Sequence, residues 1–151
     1  MGELTSTVTG KLVAFDTAPL VYYLEEHPQY VLLANELFEA LDRGIARGIS
    51  SVLTLAEVLV KPLRDGRPDL AEAYRRHLTD AAGVVLLPVT DKICECAAKL
   101  RAKYDWLRTP DALQVATAVV HDADCVVTND QRWNRVTELP VVILRDYLGR
   151  V

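Results

Sequence analysis

Four acidic residues stand where an apolar run ends or a helix begins. Asp16 closes the run in "KLVAFDTAPLVYYL", Glu57 sits in "SVLTLAEVLV", Asp111 in "RTPDALQVATAVV" and Asp130 in "CVVTNDQRW". An ionised carboxylate among apolar neighbours is costly to bury unless something neutralises it. Singly, each acid has an ordinary explanation. Asp16 and Asp130 suit turns or caps, and Asp111 complements a helix dipole in the first turn. Glu57, three residues after Thr54, fits a capping box. Together they suggest more. Gathered carboxylates raise one another's pKa, whereas a hard divalent cation holds them ionised. Mg²⁺ or Mn²⁺ prefers oxygen ligands and keeps several waters. Such an ion can activate a water and stabilise charge on a transferring phosphate.

Other phosphate and acyl chemistries leave no trace. There is no GxxxxGK[ST] loop. An aspartyl nucleophile would want a second acid two residues after Asp16, where Ala18 stands. His27, His77 and His121 fall in an expected loop, a helix rich in arginine and a helix end, which suit solvated or structural roles. Cys94, Cys96 and Cys125 are odd in number and lack zinc-finger spacing, so free thiols are expected.

The acids need elements to position them. Short apolar runs predict strands at "KLVAF", around Ile49, at "VVLLPV", at "DCVVTND" and at "LPVVILRDY". Helical spacing predicts helices between them: "APLVYYLEE", "YVLLANELFEALDRG", "LTLAEVLVKPL" ended by Pro62, "LAEAYRRHLTDAAG", "TDKICECAAKLRAKYDW" and "PDALQVATAVVHDA". A short helix begins at "QRW". The strands are uniformly apolar and alternate with helices, which predicts a parallel sheet covered on both faces. In such a sheet ligands bind beyond the carboxyl ends of the strands, where Asp16 and Asp130 fall.

The 151 residues predict one domain over 11–151, preceded by a flexible polar leader over 1–10. The leader lacks the regions of a secretory signal, and no apolar run is long enough to span a bilayer; a cytoplasmic protein is expected. The net charge of −4 argues against gripping nucleic acid by bulk charge. Setting the four acids aside leaves a near-neutral remainder. Local strips remain: Lys61, Arg64 and Arg67 after the Glu57 helix, and Arg101, Lys103 and Arg108 before Asp111. Tyr104 and Trp106 offer surfaces for base stacking. Solvated helix faces and half-buried aromatics account for these residues equally well.

The segments "LVAFDTAPLVYYLEEHPQY", "ISSVLTLAEVLVKPLRDG", "AAKLRAKY" and "LRTPDALQVATAVVHDADCVVTNDQRW" together resemble a PIN-domain protein of the VapC-type toxin branch of prokaryotic toxin–antitoxin modules. The resemblance rests on all four acids in order, each in its own context, and covers nearly the whole chain after the leader. It implies a three-layer α/β/α sandwich with a central, mostly parallel sheet of four to five strands. It implies a metal-dependent ribonuclease in which Asp16, Glu57, Asp111 and Asp130 are catalytic and hold one or two Mg²⁺ or Mn²⁺ ions. By the same match Thr17 and Thr128 line the cluster, Thr128 orienting a carboxylate or water, while Asn129 either does the same or serves the turn. A metal-activated water would hydrolyse the phosphodiester, leaving a 5′-phosphate and a 3′-hydroxyl. The implied partners are an RNA substrate, a homodimer mate and an antitoxin that inserts an Arg among the acids. The helices in "LVYYLEEHPQYVLLANELF" could offer the antitoxin a groove, or face the core or a homodimer partner instead. Competing readings are a PIN-fold nucleic-acid-binding module with little turnover and a nuclease acting on DNA.

Overall fold

A computed structural model describes residues 2–150. Five strands, β1 (Leu12–Phe15), β2 (Arg47–Ser51), β3 (Val84–Leu87), β4 (Cys125–Thr128) and β5 (Val141–Ile143), form one sheet in the order β3-β2-β1-β4-β5. Every pairing is parallel. Seven helices cover it: α1 (Glu3–Val8), α2 (Thr17–Leu24), α3 (Val31–Asp42), α4 (Val52–Arg64), α5 (Pro68–Thr79), α6 (Asp91–Lys103) and α7 (Thr109–Val120). Short 3-10 turns follow β4 and β5, at Gln131–Arg135 and Leu144–Tyr147. The expected three-layer sandwich is met, with the sheet wholly parallel.

The period of two along each strand sends side chains to opposite layers. Val13 and Phe15 of β1 and Cys125 and Val127 of β4 pack under α1 to α5. Ala14, Ile49 and Val126 pack under α6 and α7, with Trp133. The turn into β3 needs glycine: Gly83 has φ +77°, and a side chain there would overlap the carbonyl of Leu41.

Two expectations are corrected. Residues 1–10 were expected to form a flexible leader, but residues 3–8 form α1. Leu4 and Val8 lie one turn apart and are fully buried. The Glu36 carboxylate of α3 fixes the helix, accepting from Thr5 N at 2.7 Å and Thr5 Oγ1 at 2.8 Å. Two apolar side chains and one polar anchor are enough to dock a helix whose composition is otherwise polar. Pro62 does not end α4, which runs on to Arg64. Pro62 lacks the N–H that would bond Val58 O, so α4 gives up one bond there and continues two residues beyond it. The three cysteines are free, as expected.

Candidate active site

The sheet order places β1 between β2 and β4, so the chain leaves β1 toward one side and returns as β4 on the other. Loops diverge at such a switch point and leave a crevice at the carboxyl ends of the strands. The register pairs Phe15 with Val127, and the Asp16 amide donates to Val127 O at 3.2 Å. Asp16 therefore emerges beside Thr128.

Thr128 is fully buried. Its hydroxyl donates to Asp16 Oδ2 at 2.7 Å and accepts from the Asp130 amide at 3.2 Å. One side chain thus ties both strand-end acids together. The other Asp16 oxygen accepts from Ala18 N at 3.2 Å, so Asp16 also caps α2. Thr17 is half-buried in the first turn of α2.

Glu57 and Asp111 arrive from helices. Ser51 caps α4 through Leu53 N at 3.1 Å, which places Thr54 and Glu57 within the helix and removes the capping-box explanation. Gln114 lies one turn after Asp111 on α7 and is buried. Its amide donates to Thr54 Oγ1 at 2.8 Å and to Glu57 Oε1 at 3.3 Å. Ser50 Oγ lies 2.9 Å from Thr54 Oγ1 and 3.2 Å from Phe15 O. A polar chain therefore runs from the end of β1 through α4 to α7 and orients Glu57. Sequence reasoning missed Gln114; the available signal was a lone amide in the apolar face of "ALQVATAVV", three residues from Asp111.

Three of the four acids are poorly tolerated as anions. Burial pushes the half-buried Asp16 up to about 7, against the bonds from Thr128 and Ala18, and Asp111 and Glu57 push it further. Glu57 is raised by desolvation of its inner side, against the Gln114 bond, and by Asp111. Asp111 is raised by burial and by Asp130, against Arg132 and Arg108. Asp130 alone is lowered, chiefly by its hydrogen bonds from Arg132.

The acids are mutually coupled, yet no three His, Cys, Asp or Glu side chains among the described residues converge into a ready metal seat. Asp130 instead holds Arg132, whose Nη2 lies 2.6 Å from Oδ2. The donor set still fits Mg²⁺ or Mn²⁺ in chemistry. It is made of hard carboxylate oxygens, three of them raised in pKa chiefly by desolvation, and such an ion would keep several waters beside the carboxylates that hold it.

The surrounding basic and aromatic residues divide sharply. Tyr104 is buried, with its hydroxyl 2.7 Å from Glu138 Oε1, so its ring offers no stacking surface. Lys103 pairs with Glu138 at 3.2 Å, Lys61 with Glu25 at 3.3 Å and Arg67 with Asp69 at 3.2 Å. Arg101 donates to Leu107 O at 3.2 Å. Trp106 is half-buried, with the guanidinium carbons of Arg132 and Arg135 each 5.9 Å from its ring centre. Asn129 serves the scaffold, donating to Tyr22 Oη at 3.2 Å and accepting from Arg145 N at 2.9 Å.

These features define a class: a parallel α/β/α sandwich with a set of acids at its switch point. The family model of the PIN domain matches residues 13–139, and the chain belongs to the PIN-domain family. Solved structures share the fold. VapBC2 from Rickettsia felis, bound to a DNA fragment from its promoter, aligns with a TM-score of 0.70 and 18% identity, over 87% of this chain and 98% of that one. DNA-bound VapBC from Salmonella typhimurium aligns at 0.69 and 15%, over 89% and 98%. VapBC-5 from Mycobacterium tuberculosis, of a toxin–antitoxin family, aligns at 0.61 and 23%, over 88% and 98%. A comparison with curated sequences finds no match.

Proposed function

We propose that the chain is a Mg²⁺- or Mn²⁺-dependent endoribonuclease, the VapC-type toxin of a prokaryotic toxin–antitoxin pair, acting in the cytoplasm as a homodimer. The observation that carries this reading is the coupled set Asp16, Glu57, Asp111 and Asp130 at the switch point, three of them raised in pKa. Family membership and structural neighbours that are toxin–antitoxin complexes support the class of activity and the partner.

The four carboxylates would hold the metal, which supplies an activated water and charge neutralisation at the phosphate. The protein's own part is orientation. Thr128 fixes one face of Asp16, and Gln114 fixes Glu57. Arg108, at the N-cap of α7, is placed to attract a phosphate of the substrate strand beside Asp111. Trp106 offers the partly exposed ring on which a base can stack.

An antitoxin needs an apolar landing. In α2, Val21, Tyr22, Tyr23 and Leu24 pack partly against the core, while Tyr23 and Leu24 still line a concave site with Val31, Asn35 and His77. On α4, Val52, Val60 and Leu63 are exposed, spaced along one stripe of the helix that carries Glu57. A segment lying on that stripe would reach the acids. No helix is long and apolar enough to cross a membrane among the described residues.

The test is cleavage of structured RNA by the purified chain with Mn²⁺ or Mg²⁺, with single-stranded DNA in parallel and chelator as control. Cleavage of RNA that chelator and Asp111→Asn both abolish is expected. Full activity of Asp111→Asn, or cleavage indifferent to chelator, overturns the assignment.

A further inference from the structure

Among the four acids, Asp130 alone has a fixed counter-charge. Its Oδ1 accepts from Arg132 N at 3.0 Å and from Arg132 Nε at 3.0 Å. Its Oδ2 accepts from Nε at 3.2 Å and from Nη2 at 2.6 Å. Both carboxylate oxygens are engaged by one guanidinium, in the bidentate geometry that gives Arg–carboxylate pairs their strength. The backbone bond alone would cap the 3-10 turn, so the bidentate fork is additional to what the turn requires. The same guanidinium lies near enough to Asp111 to lower it, and its carbon is 5.9 Å from the Trp106 ring centre. The Arg132 side chain remains 52% exposed, so it is free to leave.

We propose that Arg132 is a built-in counter-ion that occupies the cation's place at Asp130, so that a divalent metal must displace it. The inference rests on the carboxylate metal site proposed above. A carboxylate whose two oxygens are both held by a guanidinium has few lone-pair directions left for a metal. The displaced side chain has somewhere to go, because it is half-exposed and can swing into solvent. Arg132 is thus a positioning residue: it acts on metal occupancy through Asp130. The consequence is a site with attenuated affinity for free metal. It also gives a reason why the carboxylates do not converge into a closed seat, since the acid that would complete the set is turned to its own arginine.

The experiment is calorimetric titration of Mn²⁺ into the full chain without nucleic acid, for the native sequence, Arg132→Gln, Arg132→Lys and Asp111→Asn, with melting temperature in chelator as a fold control. Removing a half-exposed pair should tighten Mn²⁺ binding by about fivefold in Arg132→Gln, equivalent to ~1 kcal/mol at 1.4 kcal/mol per decade. Arg132→Lys, which keeps the charge but not the fork, should fall between the two. A merely structural role would lower the melting temperature of both variants and leave Mn²⁺ affinity where it was; that result overturns the proposal. If Asp111→Asn loses Mn²⁺ binding while Arg132→Gln binds as the native chain does, the counter-ion role fails and the metal site stands. If the native chain and Arg132→Gln both bind no Mn²⁺, the metal site and the counter-ion role fall together.

Discussion

Asp16→Asn should make the metal-free protein more stable at neutral and alkaline pH. The native carboxyl is pushed from an ordinary 3.8 to about 7, which corresponds to ~4 kcal/mol of preference for the neutral form. Because the residue is half-buried, water screens part of that penalty, and about half, ~2 kcal/mol, is a fair expectation. The sign follows from linkage. A carboxyl with a raised folded pKa is neutral in both states below pH 3.8 and costs nothing there. As pH rises through the window from about 4 to 7, the unfolded chain releases its proton first and the folded state loses stability. Glu57 and Asp111, also raised, add loss of the same sign, and Asp130, lowered, opposes it. Asparagine keeps the shape and can still accept from Ala18 N without the charge. In chelator, Asp16→Asn should therefore melt about 4–8 °C above the native chain at pH 8, given ~2–4 °C per kcal/mol at this size. The gap should close toward pH 4. Mn²⁺ should raise the native melting temperature and leave the variant nearly unmoved. Equal melting of the two proteins in chelator at pH 8 would refute the reasoning, because it would mean the buried charge carries no penalty.

Other perturbations separate scaffold from site. Thr128→Val removes the donor to Asp16 and strands the Asp130 amide; a loss of about 1–3 kcal/mol in urea denaturation, with reduced Mn²⁺ affinity, is expected. Gln114→Leu leaves Glu57 free to rotate and Thr54 short of a donor, so metal-dependent cleavage should fall at least tenfold while circular dichroism keeps the native spectrum. Leu4→Ala should cost about 2–5 kcal/mol by thermal denaturation if α1 is part of the core, and nothing if the segment is a free leader.

The parts of this molecule that were legible in its sequence are those dictated by short-range patterns. Apolar runs marked all five strands, and an acid follows β1 directly and β4 two residues on, because strand ends are where side chains leave the sheet. What remained hidden depends on partners distant in the chain. Gln114 gains meaning only when α7 packs beside α4. Arg132 carried no signal in the sequence, because only the turn after β4 folds it back on Asp130. Tyr104 and Lys103 looked available for nucleic acid, but both are committed to Glu138, more than thirty residues away. The error over residues 3–8 has the same cause: Leu4 and Val8 are too few to show an amphipathic period, and the Glu36 anchor belongs to another helix.

The alignment of Phe15 with Val127 also sets a schedule for synthesis. The two strand ends that carry Asp16 and Asp130 are neighbours in space but are made at opposite ends of translation. Until the ribosome has delivered the segment beyond Asp130, the first strand has β2 but not β4 beside it, Asp16 has no Thr128, and the four acids are not assembled. Closing so long a loop is also a slow event in folding. Any message cut short before β4 therefore yields a product that carries Asp16, Glu57 and Asp111 but lacks Thr128 and Asp130.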